Sequence, residues 1–301
     1  MWFRNLQLYR FTEPFDLDAD ALHQALGEKP FKPCAGLDTH SLGWAPPLGK
    51  HGELLVHTAN GRMMLCVQRE DRLLPAAVIR EALDEKVEQI EEQEARPVGR
   101  KEKTRLKDEI VVDLLPRAFT RSQHLFAYID PKAGWIVIDS ATSKKAEDLL
   151  SLLRQTLGSL KVVPLAVSQS PAMCMTGWLE RNAMPAGFTA GDECELKEPG
   201  ENGAVIRARK VDLDSDEVKT HLDTGKLATR LAVSWNERIA CVLSDDLSIR
   251  RLRFLDLVMD EAADVQADDA AARFDADFTL MAAELQHFLP AVIAAFGGID
   301  E

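Results

Sequence analysis

Three stretches of this chain carry residue types that chemistry uses, and each misses the spacing that chemistry needs. Gly43-Trp44-Ala45-Pro46-Pro47-Leu48-Gly49-Lys50 has the glycines and lysine of a phosphate-binding loop. Five residues separate the glycines where the cradle needs four, and His51 stands where a Ser or Thr would meet magnesium. Two prolines also remove backbone N–H donors. A rigid packed loop is expected there. Asp212-Leu213-Asp214-Ser215-Asp216 opens like a calcium loop, but Glu217 replaces the glycine of its sharp turn and Asp223 sits where a bidentate Glu is usual. Helix capping by Asp214 or Ser215 explains the same residues. Asp84-Glu85-Lys86 holds fragments of a nuclease-like carboxylate–lysine pattern, on a helix acidic enough that a solvated face is expected. The seven histidines form no HExxH or short Cys/His cluster, so no metal site is expected, and there is no GxSxG. No residue pattern supports an enzyme directly.

What remains is charge, and it is unevenly spread. The formal net charge is −13. Residues 255–301 hold eleven carboxylates (the last is Glu301) against the single base Arg273 and account for −10 of it, leaving −3 for residues 1–254. Residues 96–132 run the other way, with nine basic side chains against five acidic. A local basic surface attracts a polyanion whatever the total charge, because attraction acts over about a Debye length. Arg96, Arg100, Lys101 and Lys103 cluster at one turn. Arg207 and Arg209 share one face of an expected strand whose other face carries Ile206 and Ala208, and Arg251 and Arg253 alternate likewise with Leu252 and Phe254. Taken singly, each cation fits a solvated surface. Together they fit phosphate contacts, which give affinity without sequence preference.

The elements that would position these charges make an α+β fold, antiparallel sheets with flanking helices and a projecting helical hairpin. A strand is expected over 3–9 and a helix over 18–26. A hairpin is expected over 53–68, turned at Asn60-Gly61. Ile79, Leu83, Val87 and Ile90 form one thin apolar stripe and Leu106, Ile110 and Leu114 another, with Arg96-Pro97-Val98-Gly99 between them, which predicts a projecting helical hairpin. Strands over 124–130 and 135–139, a helix over 143–157 and a strand over 161–167 follow. Beyond them come strands over 203–209, 227–233, 238–243 and 248–254, a helix over 215–223, and a helical 256–297 kinked or broken at Pro290. The expected division is a central α+β domain from 1–75 and 116–165, a tip at 76–115, and a base at 166–301. At 301 residues with 46% apolar side chains the chain can fill sizeable cores. Five scattered cysteines without CxxC spacing, no apolar run long enough for a membrane helix, and no basic-then-apolar leader at the N-terminus fit a cytoplasmic protein with reduced thiols.

Met1-Trp2-Phe3-Arg4-Asn5-Leu6, Gly43-Trp44 through Pro47-Leu48-Gly49, Leu114-Leu115-Pro116-Arg117-Ala118-Phe119 and Leu252-Arg253-Phe254 span the chain, and in them it resembles the RdgC family of bacterial recombination-associated proteins. The resemblance implies a homodimer closed as a ring, with single- or double-stranded DNA passing through a basic hole, and antagonism of RecA by competition for DNA. It implies a nucleoid-associated protein with no cofactor and no catalysis. Phe119 looks like the apolar contact at the gate between subunits, with Lys210 near it across the dimer. Val211 beside Lys210 lacks the polar side chain expected there and favours an apolar closure. Arg96 matches a basic tip position. The DNA contacts then expected are Arg96, Arg100, Lys101, Lys103, Arg117, Arg121, Arg207, Arg209, Lys210, Lys226 and Arg230. Two other readings stay open: an acidic protein–protein regulator that mimics DNA, and a cryptic nuclease.

Overall fold

A computed structural model describes residues 1–200 and 202–300, so Glu301 of the acidic tail lies outside the described residues. In chain order the strands are β1 (Leu6–Phe11), β2 (His40–Ala45), β3 (Val56–Ala59), β4 (Arg62–Leu73), β5 (Phe119–Asp130), β6 (Trp135–Asp139), β7 (Val162–Pro164), β8 (Phe188–Lys197), β9 (Val205–Arg209), β10 (Leu227–Trp235), β11 (Ile239–Ser244) and β12 (Ile249–Phe254). The helices are α1 (Ala19–Leu26), α2 (Ala76–Glu94), α3 (Arg100–Leu114), α4 (Ser143–Leu157), α5 (Pro171–Glu180), α6 (Asp216–Asp223), α7 (Asp256–Asp264) and α8 (Ala270–Ala295). The fold is α+β, with its described strands in one antiparallel sheet of order β2-β4-β5-β6-β1-β12-β11-β10-β8-β9, β3 pairing with β4 and β7 with β1. Leu6 opposite Ile249 joins the first strand to the last.

Period-2 alternation decides which core each side chain enters. On β4, β5 and β6, Met64, Tyr128 and Val137 point to one cluster, while Met63, Leu65, Ala127, Ile129, Ile136 and Ile138 point to the other. Helices α1 and α4 cover the second face through Leu22, Leu26, Leu149 and Leu153. The first face packs on α8 through Phe278, Met281, Leu285 and Phe288, and its cluster continues beneath β8–β12. Helices α2 and α3 share only Val87, Val98 and Leu106, flanked by Leu83 and Ile90, in a third cluster of their own.

Several expected elements shift. The Asn60-Gly61 hairpin forms, both residues taking positive φ (49° and 77°) as a tight two-residue turn requires. The strand expected at 3–9 starts later, at Leu6, because Arg4 and Asn5 spend their backbone N–H groups on the Asp139 carboxylate instead of a ladder. The 161–167 strand shrinks to three residues. Residues 256–297 form two helices, and Pro290 does not break the second: buried Leu289, Val292 and Ile293 hold it in register on both sides. The loop over 43–50 is half strand, its Gly43-Trp44-Ala45 pairing with β4 and Trp44 buried with its indole N–H on Thr156 Oγ1 (2.9 Å). Neither Asp214 nor Ser215 caps α6 through its side chain; Asp214 pairs with Lys219 at 2.7 Å. Helix α5 and strand β8 had no expectation at all, and β2 none beyond the packed loop at its end.

Candidate nucleic-acid interface

The second half of the sheet leaves one face to solvent, and arginines dominate it. On β9, Arg207 and Arg209 point outward while Ile206 and Ala208 are turned in. Strand β8 pairs antiparallel beside it and places Glu195 opposite Arg207 and Glu193 opposite Arg209. The ion pairs measure 2.7 and 3.4 Å. Each carboxylate also reaches a second arginine from the other side: Glu195 meets Arg230 of β10 at 3.3 Å, and Glu193 meets Arg251 of β12 at 2.7 Å. Partial burial works to raise the Glu195 carboxyl, but the hydrogen bond from Arg207, the charge of Arg230 and the Thr229 hydroxyl together hold it below the usual carboxylate range.

Next to this network lies an open groove of about 660 Å³. Arg4, Arg251 and Arg253 rim it, and Gly191, Ala232 and Ala240 lie along it. Gly191 lies close against β10: a Cβ there would sit 3.0 Å from the Ala232 Cβ and 3.2 Å from its carbonyl oxygen, so Ala232 would have to shift by a few tenths of an ångström. A β-bulge shapes the rim. Ala240 pairs with Arg253 and Val242 with Arg250, so Cys241 alone opposes two residues, Arg251 and Leu252. Arg251 takes a left-handed φ of 51°, its N–H donating to Asn5 Oδ1. Bulges re-aim side chains, and a bulky residue at positive φ persists only where its surroundings impose it. Leu252 N–H donates to the Arg4 carbonyl at 2.8 Å, which brings Arg4 beside β12. Six arginines (Arg4, Arg207, Arg209, Arg230, Arg251 and Arg253) thus face three carboxylates, Asp192, Glu193 and Glu195. Arg4 and Arg253 join no ion pair among the described residues. Strands β9 and β12 are four places apart in the sheet, yet Arg209 and Arg251 both reach Glu193 from them.

The other expected contacts are scattered. Arg96 is spent on Glu102 (2.8 Å) and Glu94 (2.6 Å), whose hydrogen bonds push its guanidinium pKa up, so a free basic tip at that residue is not what the structure shows. Arg100, Lys101 and Lys103 are on the first turn of α3. Arg117 is exposed in the short 3-10 turn after α3. Arg121 is exposed on β5 opposite Asp71, a carboxylate already held by Arg69 at 2.7 Å. Lys210 is exposed at a left-handed position (φ 56°) just past β9. Lys226 leans on the Thr224 hydroxyl at 3.1 Å. Phe119 is 85% exposed at the start of β5, opposite the exposed Leu73. Val211 packs against the large core cluster, which explains its apolar side chain without a gate. Arg207, Arg209 and Arg230 stand together around Glu195 and Glu193, carboxylate partners that sequence spacing hid. Arg4 was missed; it lay inside the strand expected over 3–9, with nothing in its spacing to link it to β12.

Asp84, Glu85 and Lys86 lie exposed on α2. Among the described residues no three His, Cys, Asp or Glu side chains are placed to hold a metal ion. Helix α8 is long and apolar enough by length and composition to cross a membrane, and its apolar face is spent on the core.

A family model described as "Putative exonuclease, RdgC" matches residues 1–299. The chain belongs to the RdgC family. Relatives named "Recombination-associated protein RdgC" match it end to end. That of Tolumonas auensis is 48% identical over 99% of both chains. That of Aeromonas hydrophila is 47% identical over all of this chain and 99% of its own. That of Pseudomonas aeruginosa is 46% identical over 99% and 98%. Both Arg4 and Arg253, which rim the groove, fall inside the span shared with the RdgC model.

Proposed function

We propose that this RdgC-family chain acts in recombination by binding DNA without sequence preference, as a homodimer closed around it, and that it limits RecA by competing for the same DNA. The observation that carries this reading is the arginine face with its low floor of small residues. Arginines supply phosphate contacts and release counterions. The β9 and β12 rows converge on shared carboxylates into one cationic surface, and neither the groove lining nor the paired arginines present a helix that would enter a groove and read bases. In this reading residues 166–301 form the base, 1–75 with 116–165 the centre, and α2–α3 a projecting tip. Phe119, an apolar side chain with nothing of its own chain over it, meets the partner subunit near Lys210 at the gate. The protein then resides with the nucleoid in the cytoplasm.

The test is a salt titration of duplex binding. Affinity falls steeply with salt, and Arg4→Glu with Arg253→Glu lowers it at least tenfold and flattens the slope by about two. Absence of DNA affinity at low salt would favour the acidic mimic instead. Phe119→Ala leaves the subunit's stability within about 0.5 kcal/mol yet shortens retention on closed circular DNA. An unchanged off-rate there removes the gate from Phe119. The word exonuclease in the family description supports a second reading, checked by incubating DNA with the pure protein and magnesium or manganese. Progressive end degradation would establish it.

A further inference from the structure

The α3 helix carries a feature beyond its positive charge. Arg100, Lys103, Thr104 and Lys107 form one stripe at helical spacing, and they line a shallow groove of about 370 Å³ with Leu83 and Val98. None of the three cations joins an ion pair among the described residues, and no carboxylate lines the groove. A phosphate backbone has no use for an apolar floor. A protein helix bearing both acid and apolar side chains does.

The same chain offers such a helix. On α7, Val258 and Ala262 are buried and fix the helix to the body. Its outward side carries Asp256, Asp260 and Asp264 four residues apart, with Leu257 (51% exposed) and Met259 (39% exposed) flanking them. Glu261 is taken by Arg238 at 2.9 Å, whereas the three aspartates join no ion pair among the described residues. The aspartate ridge is about 12 Å long and the cationic stripe about 10.5 Å, at 1.5 Å per residue. Like charge within each stripe and opposite charge between them match over nearly the same length.

We propose that the basic, apolar-floored groove of α3 docks the acidic α7 ridge of a second copy of this chain. Unlike surfaces meet, so the contact is heterologous and adds copies by charge-dependent steps. Leu257 and Met259 provide apolar area toward Leu83 and Val98, and the ionic pairs set register and orientation. The proposal stands apart from the DNA reading, because assembly is measured on the full chain without DNA.

Sedimentation velocity across a concentration series tests it. The wild-type mass rises with concentration at about 50 mM salt, and the rise is suppressed at about 500 mM. Asp256→Asn, Asp260→Asn and Asp264→Asn together lower the association constant about tenfold or more, while duplex affinity stays unchanged. Asp256→Lys with Asp260→Lys abolishes the rise, and adding Arg100→Glu with Lys103→Glu restores it. A triple-Asn variant that assembles like the wild type overturns the proposal. So does a swapped pair that fails to restore assembly while circular dichroism shows both parents folded. If Arg100→Glu with Lys103→Glu removes DNA affinity and leaves the DNA-free mass distribution untouched, the groove belongs to DNA and the proposal falls.

Discussion

The arginine face of the sheet and the cationic stripe of α3 are both basic, but they are built differently. On the sheet, strand register places Glu193 and Glu195 between arginine pairs, so each carboxylate holds two guanidinium groups in place. On α3 the lysines and Arg100 extend freely, above a cluster with only three buried residues. One surface is held at fixed geometry over a large core, and the other is adaptable over almost none. Fixed charge suits a ligand of regular spacing, and adaptable charge suits a partner that must be found first and fitted later.

The comparison breaks first on stability. Phe288→Ala, in the cluster that α8 shares with the sheet, is expected to cost about 3–5 kcal/mol and to lower the single cooperative transition in urea. Leu106→Ala should cost about 2–3 kcal/mol by the same rule but act locally. Amide exchange would speed up over α2 and α3 and stay slow in β10 and β11. Equal protection loss in both regions would show that the helical pair is not a separate unit.

Electrostatics sharpens it next. Glu193→Gln with Glu195→Gln releases Arg207, Arg209, Arg230 and Arg251 from their internal partners. Two effects then oppose: more free positive charge, and poorer preorganisation. Charge is expected to win, raising duplex affinity about three- to tenfold and steepening its salt dependence. A fall in affinity, read by fluorescence anisotropy, would mean that the carboxylates position the arginines more than they screen them.

The smallest effect concerns pH. The folded Glu195 carboxyl lies below its ordinary range. Its stabilising contribution is therefore fully present above the unfolded value near ~4.3 and is lost as pH falls through the lower folded value. Urea denaturation between about pH 5 and 3 should show a drop that Glu195→Gln reduces by well under 1 kcal/mol, because the paired arginines are partly exposed. No difference between the two proteins would assign the acid sensitivity to other carboxylates.

Local pattern was enough for some of this and insufficient for the rest. Helix α4 matches its apolar spacing residue for residue, and the hairpin at Asn60-Gly61 forms because that dipeptide accepts positive φ. The outward pairing of Arg207 with Arg209 follows from period 2 alone. Strand β8 escaped notice because Thr189 to Asp192 are exposed and polar or small; neighbours on both sides, β10 and β9, make it a strand. The helix runs on through Pro290 without a break for a similar reason, since packing on the core outweighs the missing backbone donor. Arg96 was legible as a basic residue and illegible as a satisfied one.

Composition and periodicity alone determined that this is an α+β protein with segregated charge and side chains sorted inward and outward, because those properties depend on neighbours within a few residues. Which charges stand together was decided only in three dimensions. Arg4 and Arg253 line one groove because the chain's first strand pairs with its last, and Glu193 joins Arg209 to Arg251 although the three stand on different strands. Coulombic interaction depends on distance through space, and a sheet assembled from both ends of the chain makes that distance unrelated to separation along it.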